Sequence, residues 1–213
     1  AGQGLLRIGT SPAAMQARLA LAERAATVSI ETHDDAWRRA IEAIAETPAY
    51  NGLHLAPQID LVPLGPDPHS GLWEFAHLPS GVPAQRAPGD ESLMLDEDTG
   101  MVLVLLPGGR ALMGAQADDP SAPHYDPDAS SHELTVHEVE LAPYFMAKHE
   151  VTQAQWLRAT GDDPSYYHAG WGNGETTISA LHPVESVSWT EAQQTLATLG
   201  LVLRTEAQWE RAV

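Results

Sequence analysis

The sequence predicts an α+β chain in which helices and short strands are set among long loops, and three observations carry that expectation. The first 47 residues are Ala-rich with helical spacing. A Pro- and Gly-punctuated middle then leads into the continuous apolar run 101–106, MVLVLL. Three hydroxyl-x-x-Glu/Gln boxes follow in the last third, each of the kind that opens a helix. Helical and extended patterns that are segregated along the chain favour an α+β arrangement over a regularly alternating one.

Residues 11–26 (SPAAMQARLALAERAA) combine strong helix propensity with Met15, Leu19, Ala22 and Ala26 at steps of four, three and four. A helix is expected to start after the Ser11-Pro12 pair. Thr32 is placed to cap a second helix with the apolar stripe Trp37, Ile41 and Ile44, ending before Pro48. Residues 1–47 read as a helical extension or linker, and 48–213 as the domain that follows.

From 49 to 100, prolines at 57, 63, 66, 68, 79, 83 and 88 exclude long helices. Short extended pieces are expected at 53–55, 60–64 and 72–78, with a turn at Gly65-Pro66-Asp67-Pro68. Leu53, Leu61, Leu64, Leu72, Trp73 and Phe75 dot this stretch and argue for a packed coat rather than disorder.

MVLVLL fits a buried strand, Pro107-Gly108-Gly109 turns the chain, and residues 111–114 are expected to return as its partner. A polar loop occupies 116–131. Leu134 and Val136 then share one strand face, whereas Val139 and Leu141 fall in the opposite phase, so a β-bulge is expected near His137-Glu138. Thr152 and Gln155 form a capping box, with Val151 and Trp156 spaced as a hydrophobic staple. After the Gly/Asn/Tyr-rich loop 161–174, Ser188 and Glu191 open a helix that aligns Ala192, Leu196 and Leu199 and stops at Gly200. Thr205 and Gln208 open the last one.

The chain carries 29 Asp and Glu against 11 Lys and Arg, a formal charge of −18. Residues 1–47 hold five basic and six acidic groups, so nearly all the excess lies in 48–213. Such a surface repels phosphate backbones and anionic lipid, which removes nucleic acid and membrane from the expected partners. No apolar run is long enough to cross a bilayer, and no signal-peptide pattern opens the sequence. With no cysteine, disulfides, thiolate catalysis and Cys-ligated metals are excluded for this chain.

Candidate chemistry is sparse. Asp118, Asp119, His124, Asp126 and Asp128 carry hard donors, but Pro120, Pro123 and Pro127 interrupt them and the spacing is not that of an EF-hand. His132, His137 and His149-Glu150 do not form the helical His-Glu-x-x-His arrangement. Asp162 and Asp163 are sequence neighbours, which does not make a facing acid/base pair. There is no Gly-x-Ser-x-Gly elbow and no phosphate-cradling Gly loop. The aromatic loop 166–171 offers a surface for peptide or glycan, or else packs into the body of the fold. No catalytic, cofactor-binding or metal-binding residue is assigned.

Four blocks in order, MVLVLLPGGRALMGA, HEVELAPYFMAKHEVTQAQW, HPVESVSW and LRTEAQWERA, resemble the formylglycine-generating-enzyme, or sulfatase-modifying-factor, family. The preceding GLHLAPQIDLVPLGPDPHSGLWEFAHL looks like the lead-in of bacterial multidomain relatives in which this module follows a Ser/Thr protein kinase. The resemblance implies a compact, loop-rich α+β module related to the C-type lectin fold. It also implies that active relatives oxidise a cysteine of a sulfatase-type substrate with O₂ and a copper ion held by two enzyme cysteines. Those cysteines, and the calcium sites of the family, belong beyond the block that contains Trp209 and Glu210. The chain is therefore expected to break off within the domain and to be inactive as it stands, with no cofactor of its own.

Arg204 stands where the family pattern has proline, which removes an apolar partner for Trp209, and Arg211 stands where it has an aromatic. The alternative is a lectin-like binding or sensory module linked to a kinase. Behind it ranks a module of an ergothioneine-type sulfoxide synthase, whose iron-binding helices are histidine-rich, whereas residues 11–47 contain only His33. An incomplete domain is expected to leave 101–106 and 201–213 without cover and to self-associate.

Overall fold

A computed structural model of the chain describes residues 12–133, 135–172 and 177–212. Helix α1 (Pro12–Ser29) and α2 (Asp34–Glu46) are joined by a 3-10 turn at Glu31–His33, and a second such turn, Pro48–Tyr50, follows. Among the described residues eight strands come next: β1 (Leu61–Pro66), β2 (Trp73–His77), β3 (Gln85–Arg86), β4 (Leu93–Met94), β5 (Val102–Leu106), β6 (Gly109–Met113), β7 (His137–Leu141) and β8 (Tyr144–Ala147). Helices α3 (Gln153–Thr160), α4 (Trp189–Thr198) and α5 (Glu206–Ala212) close the sequence. The class is α+β, with one four-stranded sheet ordered β1-β2-β5-β8 and two two-stranded sheets, β3-β4 and β6-β7. No helix among the described residues is long and apolar enough to cross a membrane.

The chain divides into two units, residues 1–105 with 145–203 and residues 106–144 with 204–213. In the first unit β2 is central, and every one of its residues is buried. Phe75 on this strand meets Trp37 of α2 at 5.5 Å between ring centres and Phe145 of β8 edge-on at 5.2 Å. Trp37, Ala40 and Ile44 are spaced by three and four, so one face of α2 joins this cluster with Leu61, Met101, Leu103 and Leu105. The Tyr50 hydroxyl donates to the Leu105 carbonyl at 3.0 Å and accepts from the Trp73 N–H at 2.8 Å. It thereby bridges β2 and β5 one residue beyond the last pair of their ladder, Glu74↔Val104.

Several expectations are corrected. Thr32 does not cap α2. Its hydroxyl donates back to the Thr27 carbonyl at 2.9 Å, and α2 begins two residues later at Asp34 without a side-chain cap. The buried stripe of α2 uses Ala40 where Ile41 was expected. On α1 the buried positions are Ala25 and Ser29, while Leu19 and Ala26 are exposed. The side chains of Met15 and Ala22, together with Ser11, Leu134 and Val213, lie outside the described residues. The piece 53–55 is not a strand.

Strand β5 matches the apolar run, but β6 is not its partner: β5 pairs with β2, and β6 pairs with β7. Nor is there a bulge at His137-Glu138, because β6 and β7 stay in continuous register from Gly109↔Leu141 to Met113↔His137. The strand starts only at His137, so Val136 takes no part in its alternation, and Thr135, with φ of 96°, lies out of the extended region before it. The interruption of register lies instead in β1, between Pro63 and Gly65. Finally, Met101, Val102, Leu103 and Leu105 are buried, so this run is covered by the first unit itself.

The capping boxes form where the sequence places them. Thr152 accepts from the Gln155 N–H at 3.2 Å, and Ser188 accepts from the Glu191 N–H at 3.3 Å. In each box the third-position side chain returns the bond to the cap's own N–H. Leu199 and Gly200 end α4, with Gly200 at φ 74°.

The second unit is the β6-β7 pair with α5. Its PGG turn has a steric cause, since a Cβ on Gly108 would fall 2.3 Å from the Leu141 carbonyl oxygen.

Truncating the residue at the centre of the first unit tests this description. Phe75→Ala is expected to lower the unfolding free energy by about 3–5 kcal/mol in a urea titration. A loss below about 1 kcal/mol would show that the Trp37–Phe75–Phe145 cluster is not the core.

Candidate functional site

A carboxylate, Glu74, lies in the middle of the most buried strand, with its side chain fully shielded from solvent. Two cations answer it. Arg86 of β3 places Nη2 2.7 Å from Glu74 Oε2, and Lys148, just after β8, contacts Oε1. Lys148 Nζ also donates to Asp67 Oδ2 at 2.7 Å, so two acids and two bases form one connected network. The Arg86 fork is filled by backbone as well: Nε donates to the Leu64 carbonyl at 3.0 Å and Nη2 to the Gly65 carbonyl at 3.2 Å. These are the residues at the irregularity of β1, where the slipped register frees carbonyls from the ladder.

Lys148 hydrogen bonds and positive charge hold the Asp67 carboxyl well below the usual range, with the His69 and Ser70 N–H groups adding to the effect. Burial works against the Lys148 ammonium, but its bonds to Asp67 and Glu74 outweigh that and raise its pKa. Every charge in the network is compensated, so it organises structure and offers no unpaired base.

Beside Lys148 opens a groove of about 440 Å³, bounded by Leu95, Leu181 and Pro183 and by the polar residues Lys148, His149, Glu150 and Thr152. A water-sized space of about 30 Å³ adjoins it, lined by Thr99, Gly100, Met101 and Gln155 among others. Burial and the neighbouring Lys148 charge lower the His149 pKa, partly offset by Glu74, which favours a neutral imidazole near pH 7. Thr152 Oγ1 already accepts the N–H that caps α3. The groove can hold a small polar molecule. It does not assemble a nucleophile, a base and an orienting acid.

The other residues singled out in the sequence fall elsewhere. Asp119 and Asp126 accept from backbone N–H groups two residues on, and Gln116 Oε1 accepts from the Asp118 and Asp119 N–H groups, so the acidic loop is turned by its own side chains. His132 is exposed in a turn, and the exposed His137 ring lies 2.9 Å from the Thr135 carbonyl. Asp163 accepts from the Ser165 N–H, and Asp162 is exposed. No group of three or more His, Asp or Glu among the described residues is disposed to hold a metal ion.

Sequence reasoning missed the Glu74 network. A signal was present: a lone carboxylate between two aromatic residues inside LWEFAHL is a buried charge that demands a partner. It also missed His77, buried on the same strand, whose Nε2 donates to the Leu199 carbonyl at 3.1 Å. The other ring nitrogen, Nδ1, is buried without a partner among the described residues. Burial pushes this imidazole down to about 4, against the opposing bond to Leu199.

The aromatic loop does not pack into the body of the fold. Tyr166, Tyr167 and Trp171 are 68%, 47% and 47% exposed, and their rings touch in sequence at 5.0 and 4.8 Å, each pair close to perpendicular. Their backbone is held firmly. Glu185 Oε1 accepts the Tyr167 N–H at 2.8 Å, and the buried Gln153 donates to the Tyr167 carbonyl at 2.9 Å.

In the second unit, Glu210 Oε2 accepts the Gly114 N–H at 3.1 Å, and Tyr144 donates to the Gln208 carbonyl at 2.7 Å. Arg204 does not leave Trp209 without a partner, since its guanidinium lies 4.1 Å from the ring centre. The PGG, MG and TEAQWE blocks thus hold one another together.

An α+β scaffold whose sequence blocks act as ties between its own segments is the class that this geometry defines. Residues 91–213 match the model of the sulfatase-modifying factor enzyme 1-like domain, FGE-sulfatase, and the chain belongs to that family. No curated protein and no solved structure matches the chain.

Two outcomes are expected. Glu74→Ala, which strands Arg86 and Lys148, should destabilise the chain by about 3–5 kcal/mol in urea unfolding. A folded-state pKa of about 4 for His77, below the ordinary 6.5, means that the unfolded chain takes up this proton first as pH falls. Its contribution is complete above pH 6.5 and is lost toward pH 4, about 3 kcal/mol in all. His77→Gln, which keeps a donor for Leu199, should flatten that part of the stability profile; an unchanged slope would assign it to other groups.

Proposed function

We propose that residues 1–213 form a sulfatase-modifying-factor-like module that does not make formylglycine by itself. The observation that carries this reading is the donor set: the chain has no cysteine. The copper chemistry implied for active relatives calls for two thiolates, and a soft Cu(I) ion is poorly served by imidazole and carboxylate alone. His149 and Glu150 in the groove are donors of that harder kind, so the residues present do not fit copper. Nor do those of the acidic loop 116–131 fit calcium, because no three of its carboxylates or imidazoles among the described residues converge on one point. The residues of the family blocks serve architecture, with Glu210, Thr152 and Ser188 tying backbone N–H groups.

A second reading, a lectin-like binding or sensory module of the sort linked to signalling kinases, is favoured by one observation. Tyr166, Tyr167 and Trp171 are displayed outward on a loop fixed by Glu185 and Gln153. The charge of −18 argues against nucleic acid and anionic membrane as the partner of such a loop.

Incubating the polypeptide with copper, O₂ and a cysteine-containing sulfatase peptide is expected to yield no aldehyde by mass spectrometry. Stoichiometric conversion of the cysteine to formylglycine would overturn the first reading.

A further inference from the structure

We propose that the ridge made by Tyr166, Tyr167 and Trp171 is a stacking platform for a neutral oligosaccharide. The inference rests on the second reading above, that this loop is a display surface, and names the class of its ligand.

The rings are exposed although their backbone is rigidly held. Besides Glu185 and Gln153, the Gly170 N–H bonds to the Ile178 carbonyl and the Trp171 N–H to the His168 carbonyl, at 2.8 and 3.0 Å. A loop that merely filled space would bury three aromatic rings, since each is worth far more inside than out. Here buried Gln153 fixes the main chain, and the rings point to solvent. That arrangement is preorganised for contact with something that arrives from outside.

Four ligand classes stack on aromatic rings, and three fit poorly. Single-stranded nucleic acid and sulfated or uronic glycans carry negative charge, against a chain of −18 whose Glu185 carboxylate sits directly on the Tyr167 N–H. A protein partner needs roughly 800 Å² on each side, whereas three such rings at these exposures offer roughly 300 Å². An apolar small molecule or organic cation calls for a concave pocket or a cage. These rings touch one another at 5.0 and 4.8 Å, which leaves no space between them. A pyranose presents one apolar face to a ring and keeps its hydroxyls hydrated, so it suits an open ridge and needs neither charge nor enclosure. The tyrosine hydroxyls add hydrogen-bonding groups at the edge of the same surface.

The test is binding of the full chain to immobilised neutral glycans covering glucose, mannose, galactose and N-acetylglucosamine linkages. Heparin serves as the polyanionic probe and reduced casein as the polypeptide probe, and any neutral hexasaccharide that binds is titrated by calorimetry. Binding to at least one neutral glycan is expected, with none to heparin. Trp171→Ala and Tyr166→Ala should each weaken it about tenfold, the loss of one stacked ring. Trp189→Ala, which removes an exposed tryptophan outside the ridge, should leave it unchanged. Circular dichroism of the variants is expected to match the parent. Saccharide binding that survives both ridge variants overturns the inference. If casein binds through these residues and no glycan does, the glycan assignment falls while the display reading stands. If nothing binds, both fall.

Discussion

A charge buried at the centre of a sheet imposes conditions on everything around it. Glu74 sits on the middle strand with no access to water, and an uncompensated carboxylate there would cost several kcal/mol. Its two oxygens therefore recruit Arg86 and Lys148 from segments 12 and 74 residues away in sequence. Arg86 in turn gathers the carbonyls that the irregular strand β1 releases, and Lys148 gathers Asp67. One buried group thus fixes the course of the β1–β2 turn, the β3–β4 excursion and the exit of β8. Apolar residues at these points would hold the sheet as well, but would not select this one set of partners so narrowly.

The family blocks acquire a physical meaning in the same terms. Gly108 is glycine because a carbonyl occupies the place of its Cβ, and Glu210 caps the N–H of Gly114 at the end of the strand that follows. Thr152 and Ser188 open helices with reciprocal bonds. Arg204, a departure from the family pattern, covers Trp209 with a cationic face in place of a ring of proline. What identifies the family here is its scaffold, and scaffold residues are compatible with many functions.

The legible parts of the sequence were those settled within a few residues. The starts of α3, α4 and α5 follow from capping boxes, and β5 follows from an apolar run bounded by Gly100 and Pro107. Distant partners decided the rest. The run MVLVLL and the following 111–114 look like a hairpin, yet β2 and β8 occupy the two edges of β5, and β6 pairs with β7. On α1, Leu19 and Ala26 of the stripe are exposed, and the helix offers Ala25 and Ser29 to its neighbours. Glu74 stands out between Trp73 and Phe75, but Arg86 and Lys148 are unremarkable singly, since only the fold brings them to it. The aromatic loop shows the same limit: Tyr and Trp are apolar enough to be read as core, yet the rings are exposed on a backbone tied to Gln153, Glu185 and Ile178.

Strand order has a further implication for how such a module is cut and recombined. The family match begins at residue 91, whereas β1 and β2 lie before it. Within the sheet β2 is the hydrogen-bonded neighbour of β5, and the Tyr50 hydroxyl stitches the same seam from further upstream. A fragment that starts at 91 carries β5 with one side stripped of its ladder, a flat apolar edge of the kind that recruits other chains. The stretch that carries the family match is therefore shorter than the stretch that completes the sheet around β5.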